Sequence, residues 1–284
     1  MTENSKTRLS ALTALGRPLD PAGPTNRAVL WLMPLLAALG AGLAWRDGLE
    51  GVAVGLAALR AALLGFGAWA LARELAPDDQ AGAFFAMAIA LTTLINVPEP
   101  GFLVLFLALF LARLMNRSTG LTLKLTDAIA VLVLGSLLAW SHDSPVPLVV
   151  VAVAFGWSAF LPGGPRWQLW PAALALLFAG VMALSVGPGI GSGAPLSPHG
   201  VWLPGLFAVA FLITLFATRT VTAVGDLDGK VLSVRRVRAG MWIVLLLAAA
   251  NLAHGSPLAA HGVAVWSVLG GVALGRLVQR FRAR

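Results

Sequence analysis

Residues 51–72 read GVAVGLAALRAALLGFGAWALA, a run of 22 residues in which Arg60 is the single charged residue. A helix needs about 20 mostly apolar residues to cross a bilayer, because each residue rises about 1.5 Å and the hydrocarbon core is about 30 Å thick. This run is therefore long enough to be a membrane span. In the whole chain 58% of the residues are hydrophobic and 11% are charged, whereas a soluble domain has roughly 25% charged residues. The composition predicts an integral membrane protein.

Further apolar runs of this kind occur along the chain. Together they predict an all-α fold, a polytopic helical membrane protein with about ten transmembrane helices. The helical bundle would occupy residues 27–277, between an N-terminal segment (1–26) and a basic tail (278–284), with a long loop at 219–240. The predicted spans are residues 27–44, 51–72, 81–96, 101–114, 127–140, 146–161, 169–186, 201–217, 241–253 and 259–277.

The positive charges favour one orientation of these spans. Of the 20 Lys and Arg residues, Arg46 alone falls in an outer loop and Arg60 alone in the middle of a span when the N-terminus is cytoplasmic, while the others lie in inner loops or at inner span ends. Cytoplasmic loops collect Lys and Arg, so we expect both termini in the cytoplasm and the bundle in the cytoplasmic membrane. This orientation accounts for the net charge of +8. We therefore predict no nucleic-acid partner and expect the basic loops to contact anionic lipid headgroups at the cytoplasmic face.

Arg60 is the charged residue whose position most needs an explanation. A cation in the middle of a span costs about 2.5–3.5 kcal/mol on insertion scales, and guanidinium stays protonated at any accessible pH. We therefore expect its side chain to lie inside the bundle against a polar group. Arg60 would then either bind an anionic substrate or tie helices together. The candidate partners are Thr92, Thr93, Asn96 and Asn251.

Asp127 opens the fifth predicted span. An acid at a helix N-terminus accepts hydrogen bonds from N–H groups that lack a partner in the helix, so the sequence predicts a capping role for Asp127. Pairing with a cation, a proton relay and catalysis are the alternatives. Asp127 is therefore also a candidate substrate-binding residue.

Acidic and basic residues gather in three loops predicted to be cytoplasmic. Adjacent carboxylates opposite arginines can hold Mg²⁺ and a diphosphate, as an enzyme acting on a lipid-linked substrate requires. The alternative is ordinary loop chemistry, in which the acids start helices and the arginines fix the topology. No known metal motif is present, so we predict no metal site and identify no cofactor. The candidate substrate-binding residues in these loops are Asp78, Asp79, Arg117, Asp226 and Asp228.

Two local patterns concern the loops. Residues 221–232 surround the sequence Gly225-Asp226-Leu227-Asp228-Gly229, which predicts a hairpin with a tight turn. Residues 121–126 alternate as LTLKLT, which fits either a short strand or the first turns of the following helix. We favour the helix for 121–126, because the span that follows is otherwise short.

Other residues carry weaker signals. The chain has no cysteine, which excludes disulfides and thiolate ligands. The four histidines are predicted at the outer face, where with Asp143 and Glu99 they would form a metal or proton site or merely lie at the interface. Glycines spaced for close helix packing would join helices within the bundle or between subunits. These histidines are His142, His199, His254 and His261, and the glycines are Gly51, Gly55, Gly65, Gly271 and Gly275.

Three classes of function remain open: a small-solute transporter, a non-catalytic assembly or scaffold subunit, and a membrane-embedded enzyme. The layout of spans resembles that of drug/metabolite exporters, although the inverted repeat of that family is not found. Access to Arg60 from the outer side would favour transport. Convergence of Asp78, Asp79, Asp226 and Arg117 on one pocket would favour an enzyme, and a filled bundle would favour a scaffold.

Overall fold

The computed structural model describes residues 11–17, 19–96, 101–186, 198–254 and 262–282. These residues form ten α-helices of at least 15 residues and no β-strand, with a helix content of 78%. The helices are α1 (Pro24–Arg46), α2 (Val52–Leu75), α3 (Gln80–Asn96), α4 (Phe102–Asn116), α5 (Leu125–Ser141), α6 (Val146–Phe160), α7 (Leu169–Val186), α8 (Pro198–Ala217), α9 (Val234–His254) and α10 (Val263–Arg282).

The helices follow the predicted apolar runs, and the all-α class is confirmed. The largest shift at a helix start is in α9, which begins at Val234 rather than at residue 241. Arg235, Arg236 and Arg238 occupy its first turns. Arginine is a good helix former, so the charges that end the apolar run do not end the helix.

Four helical segments are long and apolar enough to cross a membrane by themselves. Five other apolar helical segments, in α3 to α6 and in α8, are shorter. The described part of the chain is therefore an all-helical protein with several membrane-compatible helices, and ten crossings stay a prediction. The four long segments are Pro24–Arg46, Val52–Leu75, Arg166–Val186 and Val234–Ala253.

Contacts between helix ends show which ends lie together. Asn26, in the first turn of α1, accepts a hydrogen bond from Arg73 near the end of α2 (2.7 Å). Glu74, also near the end of α2, accepts one from Arg113 in the last turn of α4 (3.1 Å). The start of α1 and the ends of α2 and α4 therefore meet, as they must if successive helices alternate in direction.

The same end of the bundle holds further helix ends. The backbone N–H of Ala14 donates to Asp127 in the first turn of α5 (2.9 Å). Arg236, in the first turn of α9, donates to the carbonyls of Met115 in the last turn of α4 (2.8 Å) and of Pro162 just after α6 (3.0 Å). We call this the Arg-rich end and the other the opposite end. The Arg-rich end comprises the described residues of 11–26, 73–80, 113–125, 160–169, 217–236 and 276–282.

The core lies among α2, α4, α9 and α10, and its tightest contact joins α3 to α10. An ideal Cβ on Gly271 would lie 2.3 Å from the Cα of Ala86, and one on Gly275 would lie 2.3 Å from the Cα of Gly82. The two backbones therefore touch along antiparallel helices, and α10 ends at the Arg-rich end. Close packing at Gly271 and Gly275 is confirmed as a contact within the bundle.

The loop between α8 and α9 contains the predicted hairpin. Val224 and Val231 form an isolated antiparallel bridge, and the N–H of Gly225 donates to the carbonyl of Lys230 (2.8 Å). Gly229 has a φ of 63°, which a residue without Cβ adopts readily. The helical interpretation of residues 121–126 is wrong for 121–124, because α5 begins at Leu125.

Candidate functional site

Glu74 lies at the centre of a charged cluster at the Arg-rich end. Its side chain is 1% exposed, and a buried carboxylate is costly unless it is paired and hydrogen-bonded. Three donors meet its Oε1 atom: Arg113 Nε at 3.1 Å, Ser118 Oγ at 3.1 Å and Arg17 at 3.4 Å. Asn116 donates to the backbone carbonyl of Glu74 at 2.6 Å. The cluster thus joins α2 to α4 and to the N-terminal segment.

Arg17 links this cluster to the loop between α8 and α9. Its guanidinium donates to Asp226 at 2.8 Å and forms a second, shorter contact with the same carboxylate. Burial lowers the pKa of Arg17, but the charges of Glu74 and Asp226 outweigh burial and raise it above its usual value. Arg113 also donates to the carbonyl of Leu15 at 2.9 Å. Residues 15–17 are therefore held against the ends of α2 and α4.

Arg73 is the cation of the cluster that is not neutralised by contact. Its guanidinium lies 5.0 Å from the ring centroid of Trp69, as in a cation–π interaction. It donates to the amide oxygen of Asn26 at 2.7 Å. Within the part of the chain that the structure describes, no carboxylate forms an ion pair with Arg73. The guanidinium is thus positioned by an aromatic ring and an amide and retains its capacity for an anion.

These residues surround a cavity of about 180 Å³. Its wall combines three guanidinium groups with carboxylates, one amide and two aromatic rings. Guanidinium binds carboxylate and phosphate through strong, charge-assisted hydrogen bonds. The three guanidinium groups are matched in number by three carboxylates, so within this wall Arg73 is the guanidinium that could hold a small anionic group. The charged and polar wall residues are Arg17, Asp20, Asn26, Arg73, Glu74, Arg113 and Asp226.

Asp226 is the one acid of the predicted loop site that lines this cavity. Asp78 instead accepts hydrogen bonds from the backbone N–H groups of Thr222 (2.9 Å) and Ala223 (2.7 Å), so it anchors the hairpin loop. Asp79 accepts one from the N–H of Gly82 (3.0 Å) at the start of α3. Both residues therefore act through loop and helix chemistry, which was the alternative interpretation.

Asp228 and Arg117 lie beside the cavity rather than in it. Asp228 accepts a hydrogen bond from the N–H of Lys230 (3.1 Å). Arg117 donates to the carbonyls of Gly163 (2.7 Å) and Leu121 (3.1 Å). Burial lowers the pKa of Arg117, and the charge of Asp228 offsets only part of this effect.

The acids do not form a common magnesium site. Among the residues that the structure describes, no group of three or more His, Asp or Glu residues lies close enough to hold a metal ion. Each carboxylate instead meets backbone N–H groups or arginine. The hypothesis that Asp78, Asp79, Asp226 and Asp228 share one divalent cation is therefore wrong.

Asp127 has the predicted capping role. Its Oδ2 accepts the N–H of Lys124 at 2.9 Å, which caps α5. The same oxygen accepts the N–H of Ala14 at 2.9 Å, and Oδ1 accepts the hydroxyl of Thr13. Asp127 therefore fixes the N-terminal segment as well as the helix, a role that its sequence position alone does not indicate.

Arg60 is not enclosed by the bundle. The residue is exposed and lines a cavity of about 250 Å³ at the opposite end, together with Gly101, Ser141 and His142. Arg60 is the ninth residue of α2, so it lies about 12 Å along that helix. At the level of Arg60 the short helix α4 begins and the short helix α5 ends, and α2 extends beyond both. The expected interior position of Arg60 is therefore wrong.

The expected partners of Arg60 bind elsewhere. Thr92 and Thr93 donate to carbonyls of their own helix, Ile89 (2.7 Å) and Ala90 (2.6 Å). Asn251 likewise donates to Leu247 within α9. The structure describes neither His261 nor Glu99. It also does not describe the side chains of Asn96, His199 and His254. His142, from the predicted outer-face group, contacts Ser141 (2.8 Å) and the carbonyl of Leu138 (3.0 Å).

Sequence reasoning missed the residues that build the charged cavity. Arginines 17, 73 and 113 were not among the candidate substrate-binding residues. One signal was available: Arg73 and Glu74 are adjacent at the end of a long apolar run, and two side chains about 100° apart on a helix that packs on several sides seldom both face away from the bundle. That geometry predicts a buried charge with partners on other helix ends.

No protein-family model, curated protein or solved structure matches this chain. The fold and composition by themselves define an all-helical protein with several apolar helices, which is compatible with a membrane protein. One end of the bundle carries a cavity lined by three arginines and three acids, and the other carries a cavity lined by Arg60.

Proposed function

We propose that this chain is an integral protein of the cytoplasmic membrane that crosses the bilayer ten times, has both termini in the cytoplasm and transports a small anionic solute. The Arg-rich end faces the cytoplasm. The alternation of helix directions supports an even number of crossings. The cations at one end support the orientation, because cytoplasmic loops are rich in Lys and Arg.

Exposed tryptophans support the position of the bilayer. Trp and Tyr are enriched at both membrane interfaces, where an amphipathic ring meets the headgroups. Five tryptophans are between 74% and 81% exposed and lie towards helix ends. Two belong to the Arg-rich side and three to the opposite side, as two interfacial belts require. The Arg-rich side has Trp31 and Trp170, and the opposite side has Trp45, Trp140 and Trp202.

The observation that carries the transport proposal is the location of Arg60. A permanently charged guanidinium lines an open cavity at the opposite end, beside the hydroxyl of Ser141 and the imidazole of His142. These groups attract an anion from the outer side. Arg73 offers an anion site at the cytoplasmic end. A transported anion would meet one arginine on each side of the bundle.

The path between the two cavities is closed. An ideal Cβ on Gly67 would lie 2.8 Å from the side chain of Leu105, so α2 and α4 are in close contact there. Transport therefore needs a movement at this contact. Gly67 permits the close approach, and a larger residue would hold the helices apart.

The filled core favours a second candidate, a non-catalytic assembly subunit. Leu64 and Leu71 of α2 and Leu105 and Leu107 of α4 are completely buried. If these residues never separate, neither cavity passes a solute, and the bundle serves only as a scaffold.

The test is anion uptake by liposomes that contain the purified full-length chain. Inorganic phosphate, sulfate and small carboxylates are the probes. We expect uptake of at least one anion, and we expect Arg60→Leu to reduce it about tenfold or more, as the loss of one hydrogen bond from a charged group does. Arg46→Leu is the matched control, because Arg46 lies at the same end, outside the cavity, and pairs with the exposed Asp47. Uptake insensitive to Arg60→Leu would contradict the role of Arg60 in transport. No uptake by correctly folded protein would support the assembly subunit.

A further inference from the structure

A groove separates α8 from α10 on the side of the bundle that leads to the Arg-rich end. Its volume is about 320 Å³. Most of its wall is apolar, with Phe207 and Ile213 on α8 and Leu274 and Leu277 on α10. Such a wall excludes a polar solute and accepts a hydrocarbon chain.

The groove has a closed upper end and a defined length. An ideal Cβ on Gly270 would lie 2.7 Å from the ring of Phe207, so the two helices touch at that level. From Gly270 to Arg280, the last residue of the wall on α10, the helix rises about 15 Å. The hydrocarbon core of a bilayer is about 30 Å thick, so the groove is as long as one leaflet.

Two arginines lie at the lower end of the groove. Arg276 and Arg280 are four residues apart on α10 and face the groove together. The Nε atom of Arg276 is buried and has no hydrogen-bond partner among the described residues. A buried donor of this kind needs an acceptor. Thr214, which also lines the groove, does not accept a hydrogen bond from this Nε atom, and its hydroxyl donates to Ala210 (3.0 Å).

The positive charges of Arg276 and Arg280 have no acidic partner in the wall of the groove. Its wall contains no carboxylate, and neither arginine forms an ion pair within the part of the chain described here. An occupant must therefore combine an apolar chain one leaflet long with a negative group at the headgroup level. A second copy of this chain would need an acid at that level, whereas an anionic lipid supplies both features.

We propose that the groove between α8 and α10 binds one anionic phospholipid of the cytoplasmic leaflet. One acyl chain lies between Phe207 and Leu274, and the phosphate accepts hydrogen bonds from Arg276 and Arg280. This inference rests on the membrane residence and orientation proposed above, and it is independent of transport. Charge-assisted bonds from two guanidinium groups make the contact specific for a headgroup with net negative charge.

The test is native mass spectrometry of the delipidated full-length protein, titrated with phosphatidylglycerol or phosphatidylcholine. We expect one phosphatidylglycerol to bind about tenfold or more tightly than phosphatidylcholine, since both arginines favour an anionic headgroup over a zwitterionic one. The double variant Arg276→Gln/Arg280→Gln should lose this preference. Ala273→Trp, which keeps the charges and fills the groove, should lose the bound lipid of either kind.

The matched control is Arg219→Gln/Arg235→Gln, which removes two exposed cations from the same end but outside the groove. It should retain the preference. Four results would overturn the proposal. The control could lose the preference for phosphatidylglycerol as well, or the wild type could bind both lipids equally. Ala273→Trp could retain the lipid, or the protein could form a dimer in place of binding it. Recovery of the wild type in the soluble fraction rather than in carbonate-washed membranes would instead overturn membrane residence, so the two failures are distinguishable.

Discussion

Arg113 of α4 donates a hydrogen bond from Nε to the buried Oε1 of Glu74 at the end of α2, at 3.1 Å. The side chain of Glu74 is 1% exposed and that of Arg113 is 11% exposed. This pair therefore fastens two central helices at the Arg-rich end, where solvent screens the interaction only weakly. Arg17 adds a third chain segment to the same carboxylate.

Replacement of Glu74 tests the role of this contact in stability. Glu74→Ala would leave Arg113 and Arg17 without their shared carboxylate, and breaking a buried pair costs about 3–5 kcal/mol. We expect a large drop in the free energy of unfolding, measured in detergent, and a smaller drop for Glu74→Gln. Asp47→Asn is the control, since Asp47 pairs with Arg46 at 57% and 61% exposure and exposed pairs contribute about 0–1 kcal/mol. A similarly small drop in the free energy of unfolding for Glu74→Ala and Asp47→Asn would refute a stabilising role of the pair between Glu74 and Arg113.

Asp127 should control the order of the N-terminal segment. Asp127→Ala removes the cap of α5, which costs about 1 kcal/mol, and also releases the N–H of Ala14. Amide hydrogen exchange at Ala14 should therefore become much faster. Thr13→Val separates the two roles, because it removes one bond to the segment and leaves the cap on Lys124 intact. An unchanged rate of amide hydrogen exchange at Ala14 in Asp127→Ala would show that Asp127 does not hold the N-terminal segment.

Alanine substitutions of glycine should have opposite effects at two positions. Gly275→Ala would place a Cβ 2.3 Å from the Cα of Gly82, and overpacking of this kind costs about 1–3 kcal/mol. Gly55→Ala meets nothing within 4 Å, and alanine in a helix is more stable than glycine by about 0.5–1 kcal/mol. Thermal unfolding in detergent compares the two variants. Equal melting temperatures would show that α3 and α10 are not in backbone contact.

Local sequence predicted much of the fold and little of the site. Hydropathy located the helices because each apolar run is contiguous in sequence. The cap by Asp127 was also predictable, since it depends on residues three positions apart. The charged cavity was not, because Arg17, Glu74 and Asp226 are distant in sequence and meet only when helix ends assemble.

Arg60 illustrates a second limit of sequence reasoning. Its depth was judged from its place in its own apolar run, without the offsets between neighbouring helices. In the structure α2 has 24 residues and α4 has 15, so a residue in the body of α2 lies level with the start of α4. Relative helix offsets come from packing and are not readable from hydropathy.

The most direct test of the central claim is the accessibility of single cysteines introduced into this cysteine-free chain. Glu50→Cys and Ser141→Cys lie at the opposite end, whereas Lys230→Cys and Arg282→Cys lie at the Arg-rich end, and all four positions are exposed. A membrane-impermeant maleimide should label the first pair in intact cells and the second pair only after permeabilisation. Labelling of Lys230→Cys in intact cells, or protection of Glu50→Cys there, would contradict a bundle whose Arg-rich end faces the cytoplasm.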